Sequence, residues 1–321
     1  MNEQCLKLTA YFSERRRAGD RFLADALLDV YGRHAVQTSV LLRGADGFGH
    51  KHRLRSDRLL TLSEDLPLVA VAVDACERIE ALVGEVTALE HHGLLTLERA
   101  RMLTGDLAPV ALEGETKLTV YLGRQERAGG VPAFVAVCDL LRSRGIAGAT
   151  VLLGVDGTAH GERERARFLA RNADVPMMII AVGAGERIAA VLPELGALLR
   201  RPLLTLERVR VCKRDGQRLA EPDGGGDGWQ KLMVYASDHH LELVRRLRAA
   251  GARGVTSLRG VWGFHGDHAP HGDRLLALRR RVPVVTVIVD EPDRIARSFE
   301  IVDEATRGSG LVTSELVPRV L

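Results

Sequence analysis

The chain has 321 residues, 46% of them hydrophobic, and a formal net charge of only +3, so core material is ample and general nucleic-acid binding is argued against. Apolar runs end after about six or seven residues, far short of the roughly 20 that a membrane-spanning helix needs, and no signal-peptide pattern surrounds the early charges Glu3 and Lys7. The four cysteines, Cys5, Cys76, Cys138 and Cys212, form no CxxC and no metal-ligand spacing, which reads as reduced thiols of a cytoplasmic protein.

Leu6, Leu8, Ala10 and Phe12 alternate with Lys7, Thr9 and Tyr11, which predicts a strand with one buried face. A charged turn over 14–20 follows, and then Phe22, Leu23, Ala26, Leu27 and Val30 recur at helical spacing. A second strand over 38–43 ends in Gly44-Ala45-Asp46-Gly47-Phe48-Gly49, and a basic segment covers 50–58. The continuous apolar run 68–73 predicts a central strand. Ile79, Leu82, Val83, Val86 and Leu89 predict a second helix, and 94–102 a last strand. The order is β-α-β-β-α-β, the split βαβ of the ferredoxin-like class.

The unit then repeats. Lys7-Leu8-Thr9-Ala10-Tyr11 returns as Lys117-Leu118-Thr119-Val120-Tyr121 and as Lys231-Leu232-Met233-Val234-Tyr235. Pro67, Pro176 and Pro283 lie 109 and 107 residues apart, as do Ile79, Ile188 and Ile295. Thr96, Thr205 and Thr313 are each followed two residues later by Glu98, Glu207 and Glu315, read as alternating faces of the last strand. Three units are expected, at 1–107, 113–213 and 229–321. A unit of roughly 95 residues is a whole domain, much longer than a solenoid repeat. The expected fold is therefore α+β: three tandem ferredoxin-like (βαββαβ) domains closing as an intrachain pseudo-trimer, and a monomer in solution. Of the linkers, 214–228, with Gly224-Gly225-Gly226, reads as the loosest.

The strongest local signal is the loop after the second strand. It reads Arg43-Gly44-Ala45-Asp46-Gly47-Phe48-Gly49 in the first repeat and Arg259-Gly260-Val261-Trp262-Gly263-Phe264-His265 in the third. Glycines let backbone N–H groups turn toward an anion, and an arginine beside them supplies a charged fork. The same glycines could merely permit a bulge or tight turn. The second repeat has Leu153, Thr158 and Ala159 instead, which reads as a relaxed site. Arg17 and Arg127, in the charged turns, are candidates to reach a ligand or are simply solvated. His265, His268 and His271 have a spacing that could bind a divalent transition metal, or they decorate a solvated loop. Walker-type, HExxH and GxSxG signatures are absent, so a non-enzymatic role is expected.

The Lys-Leu-Thr-x-Tyr strand, the Arg-Ala-Gly turn, Arg-Gly-x-x-Gly-Phe-Gly, Leu-Pro before the apolar strand, Arg-Ile, and Gly-Leu-Leu-Thr together resemble the PII-like family catalogued as domain of unknown function 190. The resemblance covers nearly the whole chain in three copies, the second degenerate. It implies relatives of the PII signalling proteins and of CutA. It also implies clefts between units that take a small anionic ligand, with an adenine nucleotide as the candidate, and a membrane transporter or enzyme as the regulated partner. The glycine-rich, lysine-ending phosphate loop of PII has no match here; Arg307-Gly308-Ser309-Gly310 is the one glycine-rich segment at that position. Arg43, Gly44, Gly47, Phe48, Gly49, Arg259, Gly260, Gly263, Phe264 and His265 are the expected ligand contacts. A CutA-like metal-binding role through the histidine loop, and a scaffold without ligand, are the other readings.

Overall fold

The computed structural model describes residues 2–49, 55–56, 65–89, 93–159, 162–165, 175–222, 228–236, 240–265, 271–272, 283–317 and 319–320. In the first repeat, β1 (Asn2–Ser13) leads into a hairpin of β2 (Arg17–Ala18) and β3 (Arg21–Phe22), then helix α1 (Leu23–Arg33). β4 (Thr38–Arg43), β5 (Asp46–Phe48), β6 (Arg55–Ser56), β7 (Pro67–Ala75), α2 (Cys76–Leu89) and β8 (Leu94–Thr104) follow. The second repeat runs through β9 (Glu115–Gly123), the hairpin β10 (Arg127–Ala128) and β11 (Val131–Pro132), and α3 (Ala133–Ser143). It continues with β12 (Gly148–Ala159), β13 (Glu162–Arg165), β14 (Pro176–Ala184), α4 (Gly185–Leu198) and β15 (Leu203–Arg214). After β16 (Gln217–Arg218), the third repeat has β17 (Trp229–Ala236), α5 (His240–Ala249), β18 (Val255–Arg259), β19 (Trp262–His265) and β20 (His271–Gly272). β21 (Val284–Asp290), α6 (Pro292–Ala305), β22 (Leu311–Val317) and β23 (Arg319–Val320) complete it.

The helices follow their apolar stripes. Ile79, Leu82 and Val86 of α2, and Ile188, Val191, Leu192 and Leu195 of α4, are buried. Each repeat packs its helix pair on one face of its strands: Leu6, Leu8 and Ala10 of β1 meet Leu23, Leu27, Ile79 and Leu82. Phe22 departs from expectation. It is 47% exposed, just outside α1, with the Arg17 guanidinium 5.1 Å from its ring centre.

The expectation of three separate ferredoxin-like domains docked as a pseudo-trimer is corrected by the strand pairing. Nineteen strands form one continuous antiparallel sheet, and the repeats do not stand as independent units. Pairing in the order β1–β7–β4–β12–β14–β9–β15–β8 and back to β1 closes an eight-stranded antiparallel β-barrel from the first two repeats. The third repeat adds to it by pairing β22 on β15, β18 on β5, β19 on β12 and β23 on β8. Among the described residues the architecture is a sheet-rich barrel with added strands and six helices. A barrel leaves no strand edge to solvent, which removes the main route to unwanted pairing.

Closure also changes what β1 buries. On its second face, Lys7 and Thr9 were expected outside the buried face and are buried, because that face looks into the interior that all three repeats share. That interior core includes Val71, Met102, Tyr121, Met178, Met233, Tyr235 and Val287. The linkers are built in as well. Leu107 is buried in the second repeat's core and Leu112 lies against Gly185. The segment expected to be loose turns at Asp215 and Gly216, both at positive φ, and pairs Lys213 with Arg218 on β15 and β16. Lys213 bonds Asp303 of α6, and Arg218 bonds Glu221 and Glu300, so residues 214–222 clamp onto the third repeat. Gly224, Gly225 and Gly226 lie outside the described residues.

Candidate functional site

The glycine loops do their work between repeats. β5 pairs with β18, the end of β12 with β4, and β19 with the start of β12, so each repeat's loop strand lies on a different repeat. A Cβ on Gly47, Gly157 or Gly263 would strike the carbonyl oxygen of Val255, Ser39 or Ala149 respectively. Gly44, Gly154 and Gly260 lie against the recurrent prolines Pro67, Pro176 and Pro283. The invariance of these glycines and prolines across the repeats thus has a packing cause, close backbone approach.

Phe48 and Phe264 are knobs. Phe48 is buried in the third repeat's core with Val244, Leu247 and Phe299. Phe264 is buried in the second repeat's core, beside Ala149 and Val151. In the second repeat Thr158 replaces the knob. Its backbone N–H and hydroxyl donate to Ser39 Oγ at 3.0 and 2.9 Å, and its carbonyl accepts from Thr38 Oγ1. The first repeat, which receives this smaller residue, carries the bulky Tyr31 on α1, fully buried, where the second repeat has Leu141 and the third Leu247.

The arginines lie elsewhere. Arg43 is exposed and pairs with Glu14 at 3.1 Å. Arg259 is exposed at the end of β18. Arg17 donates to the Asp20 carbonyl and Arg127 to the Gly130 carbonyl, each fastening its own hairpin. Gly49 is half-buried after β5. His268 lies outside the described residues, as does the side chain of His271, so the histidine triad has no described geometry.

Two polar constellations emerge. The first is a closed ring at the centre. Lys7 pairs with Glu98 at 3.0 Å and with Glu207; Lys117 with Glu207 at 3.2 Å and with Glu315; Lys231 with Glu315 at 3.0 Å and with Glu98. All six side chains are at most 8% exposed. The three carboxylates come within 4.8 Å of one another, a spacing able to hold a cation, but three ammonium groups already balance them. Burial works against every charge in the ring. For Glu98 the lysines, Lys231 first, outweigh it and hold the carboxyl well below the ordinary range. Glu315 is held down to about 2, with Lys117 and Lys231 leading. Lys7 and Lys231 are pushed well above the ordinary lysine range by their glutamates. Lys117, the most deeply buried, is the exception: desolvation lowers it despite Glu207 and Glu315.

The second constellation is a cleft at the seam of the second and third repeats, open to solvent. Gly148, Ala149, Ile180 and Val182 line it from the second repeat and Tyr235, Phe264, His265, Gly310 and Leu311 from the third; Arg214 comes from the end of β15. Arg214 Nη2 donates to Glu115 Oε2 at 3.1 Å, while its buried Nε has no hydrogen-bond acceptor among the described residues. His265 Nε2 stands 3.1 Å from Asp215 Oδ1 as an ion-pair contact without hydrogen-bond alignment. The Asp215 N–H donates to the Gly310 carbonyl, tying the turn after Arg214 to the glycine-rich segment 307–310. Tyr235 joins the two constellations. It lines the cleft, and its phenol is held well above its ordinary range, by desolvation first and then by Glu315 of the ring.

Of the expected ligand contacts, Phe264 and His265 line this cleft; Arg43, Arg259, Arg17 and Arg127 do not. Sequence reasoning missed Arg214, Glu115 and Tyr235 as a site, because they lie far apart in the chain and Arg214 stood at the edge of a linker. The ring was visible only as recurring Lys and Glu within otherwise apolar strands. The family model for DUF190, described as an uncharacterized ACR, matches residues 5–102, 115–211 and 231–319. No solved structure matches the chain.

Proposed function

The chain belongs to the DUF190 family, in three consecutive copies, and from that premise we propose that it is a PII-like regulatory protein that binds a small anionic ligand in the cleft between its second and third repeats. The observation that carries this reading is Arg214, a guanidinium lining a cleft at the seam with its Nε–H lacking an acceptor among the described residues. A buried donor without an acceptor costs on the order of 1–3 kcal/mol, and an anion at that position recovers it. Tyr235, Gly310 and the turn at Asp215 connect the cleft to the central core and to α6, so occupancy would bias packing on both sides of the seam. The regulated partner, a transporter or an enzyme, would read that change at the surface. The reading is of a binding protein and not of an enzyme, acting in the cytoplasm. Among the described residues, no helix is long and apolar enough to cross a membrane.

The test is thermal denaturation of the full chain against a panel of small anions. A ligand bound only by the native state raises the melting temperature. Stabilisation by at least one anion is expected, and it should be lost in Arg214→Gln. Stabilisation that survives this change would move the site away from the cleft.

A further inference from the structure

The ligand class can be narrowed by counting charge in the cleft, an argument that rests on the reading above. Among the lining residues the permanent cation is Arg214, which already faces Glu115, and His265 stands beside Asp215. The site therefore carries no excess of positive charge from its permanent cation before any ligand arrives. What it has left to offer is the Arg214 guanidinium, which spends Nη2 on Glu115 and whose buried Nε–H has no acceptor among the described residues; a guanidinium matches the geometry of a carboxylate. The surrounding walls are apolar: Ile180, Val182, Phe264 and Leu311. A triphosphate would bring three or four negative charges to one half-spent guanidinium and strip their hydration without compensation.

We infer that the cleft takes an organic monocarboxylate with an apolar body, an aliphatic or aromatic acid, and not a polyphosphate nucleotide. The carboxylate docks on the Arg214 guanidinium, and the hydrocarbon or ring lies against Ile180, Val182 and Phe264. Glu115 is then a competitor as well as a positioning residue. It holds the guanidinium in place, and its charge repels the incoming anion. Removing that charge separates the two roles.

The experiment titrates the full-length protein with benzoate, hexanoate, ATP and inorganic phosphate, by calorimetry and by thermal shift. Benzoate or hexanoate is expected to bind, and ATP and phosphate are not. Arg214→Gln should weaken the monocarboxylate by about tenfold to a hundredfold, the range for losing a charge-assisted contact. Glu115→Gln should tighten it several-fold. A merely structural role for Glu115 predicts weaker binding instead, and that result would count against the assignment. Should Arg214→Gln not fold, the Glu115→Gln titration decides alone. If ATP binds and the binding depends on Arg214, the monocarboxylate assignment is overturned while the regulatory reading stands. If no anion of either class binds, both fall.

Discussion

The central ring and the seam cleft both gather ion pairs from more than one repeat, yet they close differently. In the ring, three ammonium groups and three carboxylates alternate, and each charge touches two of opposite sign. In the cleft, Arg214 and His265 each face one carboxylate, and Arg214 Nε–H has no acceptor among the described residues. The contrast separates structure from recognition: a buried set with matched charges specifies which strands meet, whereas ion pairs at a solvent-open cleft have capacity for a ligand. Burying charge is expensive, and a buried ion-pair set adds little net stability over apolar residues, but breaking it is costly. The ring is best understood as a device for strand register, since three of its six ion pairs, Lys7 with Glu207, Lys117 with Glu315 and Lys231 with Glu98, join strands of different repeats.

The largest effect should come from opening the ring. Glu98→Gln leaves Lys7 and Lys231 with one carboxylate each, and a loss of about 3–5 kcal/mol in chemical denaturation is expected. A loss below about 1 kcal/mol would mean that the ring is solvated and that the contrast with the cleft is false. The same ring sets an acid limit. Glu98 and Glu315 titrate in the folded protein below their ordinary value of 4.5. Between that value and the folded one, about 2 for Glu315, the unfolded chain binds more protons, so stability rises with pH. Their contribution is present in full above pH 4.5 and is lost on acidification toward pH 2. Lys7 and Lys231 act oppositely: their contribution is full below 10.5 and disappears only as pH rises through their higher folded values. Stability measured against pH should show the acid fall, and Glu98→Gln should flatten it.

Next in size is the seam itself. Gly263→Ala puts a Cβ on the Ala149 carbonyl and must push β19 off β12, for about 1–3 kcal/mol. Because residues of both strands line the cleft, the same variant should also lose ligand binding. Stability lost with binding intact would detach the cleft from the seam.

The exchange of Phe for Thr at residue 158 yields a subtler test. α1, which carries Tyr31, packs against β12, which carries Thr158. Thr158→Phe should overpack the first repeat's core, and adding Tyr31→Leu should recover part of the loss. A coupling of about 0.5–3 kcal/mol in the double-mutant cycle is expected for residues that share one space. Strict additivity would show that the two positions do not share volume. Smallest of all is Arg43→Ala. Its pair with Glu14 is exposed on both sides, so less than about 0.5 kcal/mol should be lost, and ligand affinity should not change. A sharp fall in affinity would return the site to the glycine loop of the first repeat.

Much of this molecule was legible residue by residue. The buried stripes of α2 and α4 match the 3.6-residue period that predicted them, and the apolar run 68–73 is central strand β7. The glycine motif was legible as a recurrence, but the neighbouring carbonyl of Val255 or Ala149 that it packs against is named by no local pattern. Lys7 and Glu98 looked like the wet face of alternating strands, since alternation shows that two faces differ and not what covers each.

What the sequence determined by itself is therefore the threefold repetition, the order of helices and strands within a unit, and the side of each helix that is buried. These depend on periodicity over a dozen residues, and helix and strand geometry translate it directly. The tertiary structure alone decided that the units merge into one sheet, that their polar strand faces turn inward into a charge ring, and that Arg214 meets Phe264 and Tyr235 across a cleft. Those outcomes rest on contacts such as Thr158 with Ser39, 119 residues apart, and Lys7 with Glu207, 200 residues apart. At such separations the partner is chosen by sheet closure and by which charges remain to be matched, and neither is written in any stretch of neighbouring residues.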